Sequence, residues 1–560
     1  MDKYIGKLIG NTGDPSNIKI ALENSFSAKR GEFVKIKHTE TEEEGEIYVL
    51  GRIVAVSRSN ILYNSNMGDG LTELEILPGA SITGETLYGT IQLVGYRDSL
   101  GRIKIPRRPL NPGEKVFGVD YEFLAKFYKF DENTSINIGN LIGYEKGENI
   151  VPVYLDVNKL VTEHLAVLAM TGSGKSYTVG RVIEKLVAEM NGTVVVFDVH
   201  GEYGKAFNKG NIHFNDNLKD IEDPEELNSI KKIQETLQKL LQAGGGIKVY
   251  TPQMDSFDYK YSSKNIHLSL QFDRFDMDDL SSVLPGLTEP QQRVIDVAIR
   301  YWKTKYDKGY RDIQDLIYLL TDSGLEELKH WDKLTEGEAN ALNNRSAAVV
   351  SMKLSRMINE ARSFYTRAKG EPTDIYKMIG EKGNRVGRLV IVDLQGLSDD
   401  AKQIITALIS SEIMRAAADK ERQTRPAFLV YEEGHNFAPA GMPCISKKII
   451  KKIAAEGRKF GVGFSIISQR PSKLDPDVTS QCNTIITMRL KNPDDQRFIA
   501  KTSDMFSKSD IEELPSLSTG EALICGRSIP APLLVKIGTK ALLHGGESPE
   551  VIVEWGSFNG

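Results

Sequence analysis

One segment of the chain has the order of a buried strand, a glycine-rich loop and a helix. The apolar run 165–168 precedes residues 169–176, which read Ala-Met-Thr-Gly-Ser-Gly-Lys-Ser, and a helical pattern follows over 177–190. Glycines at 172 and 174 let backbone N–H groups turn inward, where they and the helix N-terminus can bind phosphate oxygens. The segment therefore predicts a phosphate-binding loop, and nucleotide chemistry is the first hypothesis.

The side chains of this loop suit ATP and Mg²⁺. Lys175 is expected to reach the β- and γ-phosphates, and the Ser176 hydroxyl to bind Mg²⁺. Ala169 replaces the first glycine of the usual G-x-x-x-x-G-K-[ST] pattern, which is the smallest possible departure from glycine. A chance loop rich in glycine and serine is the weaker alternative, because a strand and a helix flank it. The predicted nucleotide-binding residues are Thr171, Gly172, Ser173, Gly174, Lys175, Ser176 and Tyr177.

Length and composition narrow the class of protein. A chain of 560 residues exceeds what one core usually organises, so two to four domains are expected. No apolar run approaches the roughly 18 residues of a membrane span, and the N-terminus has no signal-peptide pattern. Three scattered cysteines exclude a disulfide framework and a zinc site, so we expect a cytoplasmic protein with no membrane partner. With a net charge of −5, any DNA contact must come from a local basic surface.

The hydrophobic pattern changes along the chain. Short alternating strands up to about residue 108 predict an all-β barrel, and a proline-containing linker follows. Later apolar runs, separated by helices, suit buried parallel strands of a doubly wound α/β domain. Charged amphipathic helices interrupt that pattern and predict a helical insertion. The predicted division is a β domain over 1–108, an α/β core over 109–204 and 388–540, an insertion over 205–387, and a C-terminal arm over 541–560.

Acidic residues follow two of the apolar runs. Glu432 and Glu433 end the run 427–431 in a Walker B arrangement, in which Glu432 would hold the Mg²⁺ shell and Glu433 would orient and deprotonate the attacking water. Asp198 ends the run after the first helix, where it would reach the metal shell or the water. The carboxyl ends of parallel strands meet at one edge, so these acids are expected beside the phosphate loop. Taken alone, the paired acids fit a solvated turn equally well.

Two further residues complete the predicted site. Gln469 ends the run 462–467 and suits a sensor that hydrogen-bonds the γ-phosphate. Arg458 follows Walker B on a helix, where it is either an arginine finger completing a neighbour's site or a surface salt bridge. Spacing alone favours the salt bridge.

The order of these motifs resembles the HerA family. The segments 171–176 (TGSGKS), 198–203 (DVHGEY), 432–437 (EEGHNF), 456–461 (EGRKFG) and 468–471 (SQRP) follow one another as they do in HerA proteins of the HerA/FtsK superfamily. The likeness covers nearly the whole chain and departs at Ala169 and at Gly434, where HerA proteins often have alanine. It implies a RecA-like P-loop ATPase core with a helical insertion and an N-terminal HAS-barrel.

The resemblance also implies an activity. It points to an ATP-hydrolysing ring of six subunits that translocates or unwinds double-stranded DNA, with Glu433 as catalytic base, Asp198 as auxiliary acid, Gln469 as sensor and Arg458 acting in trans. Relatives work with an effector, such as a NurA-like nuclease in DNA end resection or a sirtuin-like NAD hydrolase in antiphage defence. Two alternatives remain open, which are a scaffold whose ATP binding controls effector assembly and a conjugation or secretion ATPase.

A lysine stripe is the candidate DNA contact. Lys447, Lys448, Lys451 and Lys452 recur at helical spacing after Walker B, and six copies in a ring would line a pore with positive charge. A solvated helix face explains the same pattern equally well.

Overall fold

In the computed structural model, an N-terminal β-barrel precedes an α/β domain built on one large sheet. The structure describes residues 3–545 with gaps. The residues outside the description are 1–2, 24–27, 44, 61–84, 145–149, 216–217, 219–220, 222, 243–245, 253–265, 271–283, 285, 307–311, 362–372, 503–505, 544 and 546–560. Most of the predicted C-terminal arm, 541–560, therefore lies outside the described residues.

The barrel forms because strands with one apolar face close on themselves. Strands β1 to β5 and the later strand β7 form a ring in the order β2-β1-β7-β3-β4-β5. Strand β7 pairs with both β1 and β3, and β5 pairs with β2 to close the ring. Buried side chains such as Ile5, Ile20, Ile36 and Ile91 fill its interior. The strands are β1 (Tyr4–Ile9), β2 (Ile18–Leu22), β3 (Phe33–Thr39), β4 (Glu46–Asn60), β5 (Glu85–Arg97), β6 (Ile103–Lys104) and β7 (Lys115–Gly118).

The prediction of an N-terminal barrel is confirmed, and the strand that closes it lies further along the chain than expected. Strand β7 pairs antiparallel with both β1 and β3, although it follows the predicted boundary at residue 108. Its four residues are too few to show the alternation by which the other strands were identified. The proline-containing stretch therefore connects two strands of the barrel sheet, β6 and β7, and does not link the barrel to the next domain.

Among the described residues, the second sheet has twelve strands, of which eight neighbouring ones are parallel. Their order is β13-β12-β14-β11-β15-β16-β10-β17, and the antiparallel strands β18, β19, β8 and β9 extend the β17 side. The strands are β8 (Ser135–Leu141), β9 (Pro152–Asp156), β10 (Leu165–Leu168), β11 (Thr193–Asp198), β12 (Ile247–Thr251), β13 (Ile266–His267), β14 (Arg388–Asp393), β15 (Ala427–Tyr431), β16 (Val462–Ser468), β17 (Thr484–Thr487), β18 (Glu521–Gly526) and β19 (Leu533–Ile537).

Helices cover both faces of this sheet. The α-helices are α1 (Tyr121–Phe127), α2 (Val157–Thr162), α3 (Lys175–Ala188), α4 (Pro224–Gln242), α5 (Glu289–Lys305), α6 (Ile313–Leu319), α7 (Asp322–Lys329), α8 (Glu336–Ala341), α9 (Asn344–Ala361), α10 (Ile375–Ile379), α11 (Asp399–Ala418), α12 (Lys447–Phe460), α13 (Pro476–Thr479), α14 (Pro493–Thr502) and α15 (Lys508–Glu513). Short 3₁₀ helices span Gly204–Gly210, Gly434–Asn436, Pro471–Lys473 and Leu514–Ser516.

Alternate residues of the central strands belong to two different cores. Ala166 and Leu168 of β10 pack in the cluster that contains α5, α9, α11 and α12, whereas Leu165 and Val167 pack in the cluster that contains α3 and α4. Continuous apolar runs are therefore required, since successive side chains of a strand point to opposite faces. The doubly wound α/β prediction is confirmed.

The predicted helical insertion is not purely helical. Strand β12 lies within it and pairs parallel with β14, so this part of the chain extends the central sheet. Helices α5 to α9 bury Trp302 and Leu354 in the same cluster as α11. The β12 sequence, Ile-Lys-Val-Tyr-Thr, is short and is surrounded by charged helices, which hid it in the pattern.

Barrel and core are joined by packing and by one buried ion pair. Phe33 and Leu50 of the barrel belong to the hydrophobic cluster beneath α3. The Arg52 guanidinium of β4 pairs with the carboxylate of Asp510 on α15, and both side chains are buried. Within the described part of the chain, no helix is both long and apolar enough to span a bilayer.

Candidate active site

The carboxyl ends of five neighbouring strands bring the predicted acidic and amide residues together. Strands β14, β11, β15, β16 and β10 are adjacent in that order and parallel. Asp393 and Asp198 end the first two of them, Glu432 and Glu433 follow β15, Gln469 follows β16, and the phosphate loop follows β10. Ligands of open α/β sheets bind at this edge.

The loop itself has the backbone that its glycines allow. Gly172 and Gly174 have φ angles of 76° and 97°, and helix α3 begins at Lys175. The Ser173 hydroxyl donates to the carbonyl of Met170 at 2.6 Å, which ties the loop to its own start. Ala169 is fully buried directly after β10, where its N–H donates to the Ser468 carbonyl at 3.2 Å. The backbone of Ala169 is outside the left-handed region, so this position does not require glycine.

Lys175 and Glu433 form the centre of the site. The Nζ atom of Lys175 lies 2.5 Å from Oε1 of Glu433, and both side chains are buried. Gln469 donates through Nε2 to the same Oε1 at 2.7 Å and accepts a short hydrogen bond from the Thr171 hydroxyl. The predicted cation and the predicted sensor therefore both bind one carboxylate oxygen of the predicted base.

The backbone of Glu433 is unusual. Its φ of 48° and ψ of 49° place a non-glycine residue in the left-handed region. Such residues concentrate at functional sites, because surrounding structure must hold them there. Burial raises the pKa of Glu433, but the Lys175 ammonium and the hydrogen bonds from Lys175 and Gln469 outweigh it and hold this pKa below its ordinary value. Glu433 is therefore ionised at neutral pH.

The pKa values of Glu432 and Asp198 are raised, in contrast to that of Glu433. Glu432 accepts backbone N–H groups from Val199 at 2.9 Å and His200 at 3.3 Å through Oε2. Burial, with the charge of Asp198 nearby, raises its pKa well above the ordinary value. Burial also raises the pKa of Asp198, and the charge of Asp393 adds to the rise. The pair therefore shares a site that favours an additional positive charge.

Asp198 is held rigidly by the turn that follows it. Its two carboxylate oxygens accept the backbone N–H groups of Glu202, Tyr203 and Gly204 at 2.8–3.0 Å. These bonds shape the segment 199–204 that in turn donates to Glu432. Asp198 is fully buried, and its hydrogen bonds fix the backbone of the turn that contacts Glu432.

A second loop, which no motif indicated, braces the phosphate loop. The Thr519 hydroxyl donates to the Gly172 carbonyl at 3.2 Å, and the Gly520 N–H donates to the Ser173 carbonyl at 3.0 Å. Lys536 on β19 donates to the Thr519 carbonyl at 3.1 Å. The contacts join residues far apart in sequence, so only the fold reveals them.

Tyr177 has a partner that the sequence did not predict. Its hydroxyl accepts the N–H of Lys540 at 2.8 Å, so this side chain contacts the segment after β19. The same segment is held by Glu184 of α3, whose two oxygens accept the N–H groups of Ala541 and Leu542 at 2.7 and 2.9 Å. Tyr177 thus contacts this C-terminal segment, and its predicted contact with the nucleotide stays a prediction.

Arg458 does not join the Lys175 cluster. It lies near the end of α12 and pairs with Glu163 at 3.4 Å, at the amino edge of the sheet. The ion pair agrees with the surface salt bridge weighed in the sequence analysis, but it leaves most of the arginine side chain exposed.

The four lysines of α12 differ in exposure. Lys447 and Lys451 pair with Asp475 at 2.7 and 3.1 Å, and Lys451 also pairs with Asp477 at 2.7 Å. Lys448 and Lys452 are exposed. Carboxylates after β16 therefore share the charge of Lys447 and Lys451, and a role of the four lysines in DNA binding stays a prediction.

A parallel sheet that carries a phosphate loop, a buried lysine–glutamate pair and a sensing glutamine at its carboxyl edge defines a P-loop ATPase. Residues 136–413 match the central domain of helicase HerA, and residues 5–99 match the HAS barrel domain. The chain belongs to the HerA helicase family.

Relatives agree with this assignment along the whole chain. A probable helicase of Methanocaldococcus jannaschii is 28% identical over 567 residues, covering 99% of this chain and 94% of the relative. The DNA double-strand break repair helicase HerA of Pyrococcus furiosus is 29% identical over 588 residues, covering 99% of this chain and 97% of the relative. Among solved structures, the plasmid coupling protein TrwB in complex with a non-hydrolysable ATP analogue aligns with a TM-score of 0.48 and 11% identity, covering 77% of this chain and 94% of that one.

Proposed function

We propose that this protein hydrolyses ATP and uses the energy to move double-stranded DNA, as a ring of six subunits. The convergence of Lys175 and Gln469 on Glu433, with Thr171 bonded to Gln469, carries the catalytic half of the proposal. The name of the Pyrococcus furiosus relative, a DNA double-strand break repair helicase, supports the DNA half.

In the proposed reaction, Glu433 is the general base. Its carboxylate is ionised and held by Lys175 and Gln469, so it can accept a proton from an attacking water once Lys175 turns to the phosphates. Gln469 then couples that carboxylate to the phosphate loop through Thr171. Thr171, Gly172, Ser173, Gly174, Lys175 and Ser176 would hold the phosphates, mainly through backbone N–H groups.

The acidic end of the site fits Mg²⁺. Oε1 of Glu432 is buried and has no hydrogen-bond partner among the described residues, and a cation would stabilise its charged form. We propose that Glu432 and the Ser176 hydroxyl hold the metal, while Asp198 fixes the turn beside them. When bound, Mg²⁺ neutralises charge on the phosphates.

The DNA contacts and the partner belong to the same proposal. Lys448 and Lys452 present exposed charge for phosphates in a central pore. Lys447 and Lys451 contribute less, because Asp475 neutralises part of their charge. An effector, such as a NurA-like nuclease or a sirtuin-like NAD hydrolase, would dock on the barrel.

ATPase activity with and without duplex DNA tests the proposal. We expect stimulation by DNA, displacement of a bound roadblock protein, and loss of both in Lys175→Ala and Glu433→Gln. Glu512→Gln, which removes an exposed carboxylate on α15, is the matched control and should retain activity. A wild-type protein that hydrolyses no ATP, or whose effector works unchanged with Glu433→Gln, would show that hydrolysis does not drive function.

A further inference from the structure

Glu163 at the amino edge of the sheet holds two arginines rather than one. Its Oε1 lies 3.4 Å from Arg458 on α12, and its Oε2 lies 3.5 Å from Arg527 in the turn after β18. The glutamate side chain is 8% exposed, whereas those of Arg458 and Arg527 are 67% and 59% exposed. One buried carboxylate therefore anchors two guanidinium groups that project outward, and one positive charge remains uncompensated within this trio.

The backbone around this trio is built to hold it. Neighbouring His164 has a φ of 65°, a conformation that few non-glycine residues adopt. Its buried ring lies within hydrogen-bond distance of the Ala454 carbonyl on α12 at 3.2 Å, accepts the Phe464 N–H of β16 at 3.3 Å, and stacks on the Phe464 ring. Ala454 is one helical turn before Arg458, so His164 fixes the end of the helix that presents this arginine.

Arg527 is fixed as firmly from the other side. It follows Gly526, where φ is 126° and a Cβ would come within 2.1 Å of the Asn483 carbonyl oxygen. The Arg527 N–H donates to that same carbonyl at 2.8 Å. Since Gly526 pairs with Thr484, the first residue of β17, Arg527 lies at the same edge as Glu163.

This edge is out of reach of the chain's own phosphate loop. Strand β10 separates Glu163 and His164 from Ala169, and its four residues span about 13 Å. Neither arginine can extend across that distance to phosphates beyond the opposite edge. In a closed ring with head-to-tail contacts, however, different faces of adjacent subunits meet.

We propose that Arg458 and Arg527 together contact the phosphates of a nucleotide bound to the neighbouring subunit, with Glu163 and His164 as positioning residues. This inference rests on the proposed ring ATPase and adds a second cation, Arg527, to the arginine expected from the family resemblance. The planar guanidinium groups suit a terminal phosphate, because the transition state spreads negative charge over its oxygens and an arginine in contact with them stabilises that charge. Glu163 holds them in place for that contact.

Subunit mixing tests the assignment. Arg527→Ala and Arg458→Ala should each lower kcat by roughly 10-fold or more, with a smaller change in KM for ATP. Arg293→Ala removes an exposed, ion-paired arginine of α5 and should leave kcat unchanged. Rings that mix Arg527→Ala with Lys175→Ala subunits contain some interfaces with both residues intact, so their activity should exceed that of either parent.

The possible outcomes distinguish a failure of the proposed ATPase function from a failure of the role proposed for Arg527. A wild-type protein without ATPase activity would overturn the proposed function itself. An active wild type whose Arg458→Ala mixtures gain activity while its Arg527→Ala mixtures do not would overturn the role of Arg527. Gain in neither mixture would assign both arginines to structural ion pairs within one subunit.

The variant Glu163→Gln tests whether Glu163 positions the two arginines. We expect a several-fold lower kcat at an unchanged KM and an unchanged melting temperature, with part of kcat recovered in Glu163→Asp. A fall in melting temperature at unchanged kcat would reduce Glu163 to a purely structural residue and contradict the positioning role.

Discussion

The ammonium of Lys175 and the carboxylate of Glu433 lie 2.5 Å apart, so the residue that should bind phosphate is held by the residue that should activate water. Each group lowers the cost of burying the other, because buried charges require partners. A phosphate oxygen and the Glu433 carboxylate would therefore compete for the Lys175 ammonium.

That competition predicts opposite effects of Glu433→Gln on binding and on hydrolysis. Hydrolysis should fall by roughly 100-fold or more, because the general base is lost. ATP should bind as tightly or a few-fold more tightly, because the variant removes a negative charge that competes for Lys175. Titration with a fluorescent ATP analogue beside steady-state ATPase measurement checks this. Weaker ATP binding by Glu433→Gln than by the wild type would contradict the competition.

Gly434→Ala tests the packing next to the base. A Cβ at residue 434 would lie 2.2 Å from Cγ1 of Ile466, which is fully buried. We expect the substitution to lower the free energy of unfolding by about 1–3 kcal/mol. In a double-mutant cycle with Ile466→Ala, which removes the contacted atoms, the two costs should not add. Simple additivity, measured by denaturant unfolding, would show that Ile466 moves aside freely.

His164 predicts acid sensitivity of stability. Burial lowers the pKa of His164 to about 4, from an ordinary value of 6.5. Between these values the unfolded chain binds a proton that the native protein does not, so stability falls as the pH drops from 6.5 towards 4. The loss from this group is at most about 3 kcal/mol.

His164→Asn isolates that contribution, because asparagine tolerates the left-handed backbone. The variant should be less stable than wild type at pH 7, and the difference in the free energy of unfolding should shrink at pH 5. A difference that stays constant between these pH values would assign the acid sensitivity to other groups.

The more exposed lysines of α12 should affect DNA binding more than the less exposed ones. Replacing Lys448 and Lys452 together by alanine should weaken duplex binding and flatten the slope of log K against log salt by roughly 0.9 for each DNA phosphate that the protein no longer neutralises. Lys447→Ala should change this slope less and reduce thermal stability more, because it leaves Asp475 without one of its partners. Equal slopes for both variants would mean that the exposed pair has no special role.

The sequence predicted the ATPase half of the sheet well because each central strand is apolar on both faces. Val194–Phe197 and Leu389–Val392 are fully buried runs, and the chemistry follows directly where each strand ends. The convergence on Glu433 was foreseeable for the same reason, since parallel strands end at one edge.

Other features had no local signal. Strand β12 carries Lys248 in a short run, and the brace from Thr519 to Gly172 joins segments that are distant in sequence. The pairing of Lys447 with Asp475 depended on a loop whose course no periodicity reveals. The second arginine at Glu163 was likewise invisible, because Arg527 belongs to no recognised motif.

The position of β10 in the sheet has a consequence for how the protein reaches its native state. This strand begins at Leu165, and the strands on either side of it begin at Val462 and Thr484. Its ladder therefore cannot form on the ribosome until most of the polypeptide has emerged, whereas the barrel is complete once Gly118 is available. Contacts between such distant segments form slowly and leave apolar strands exposed meanwhile. During synthesis, the apolar strands of this core therefore stay unpaired longer than those of the barrel.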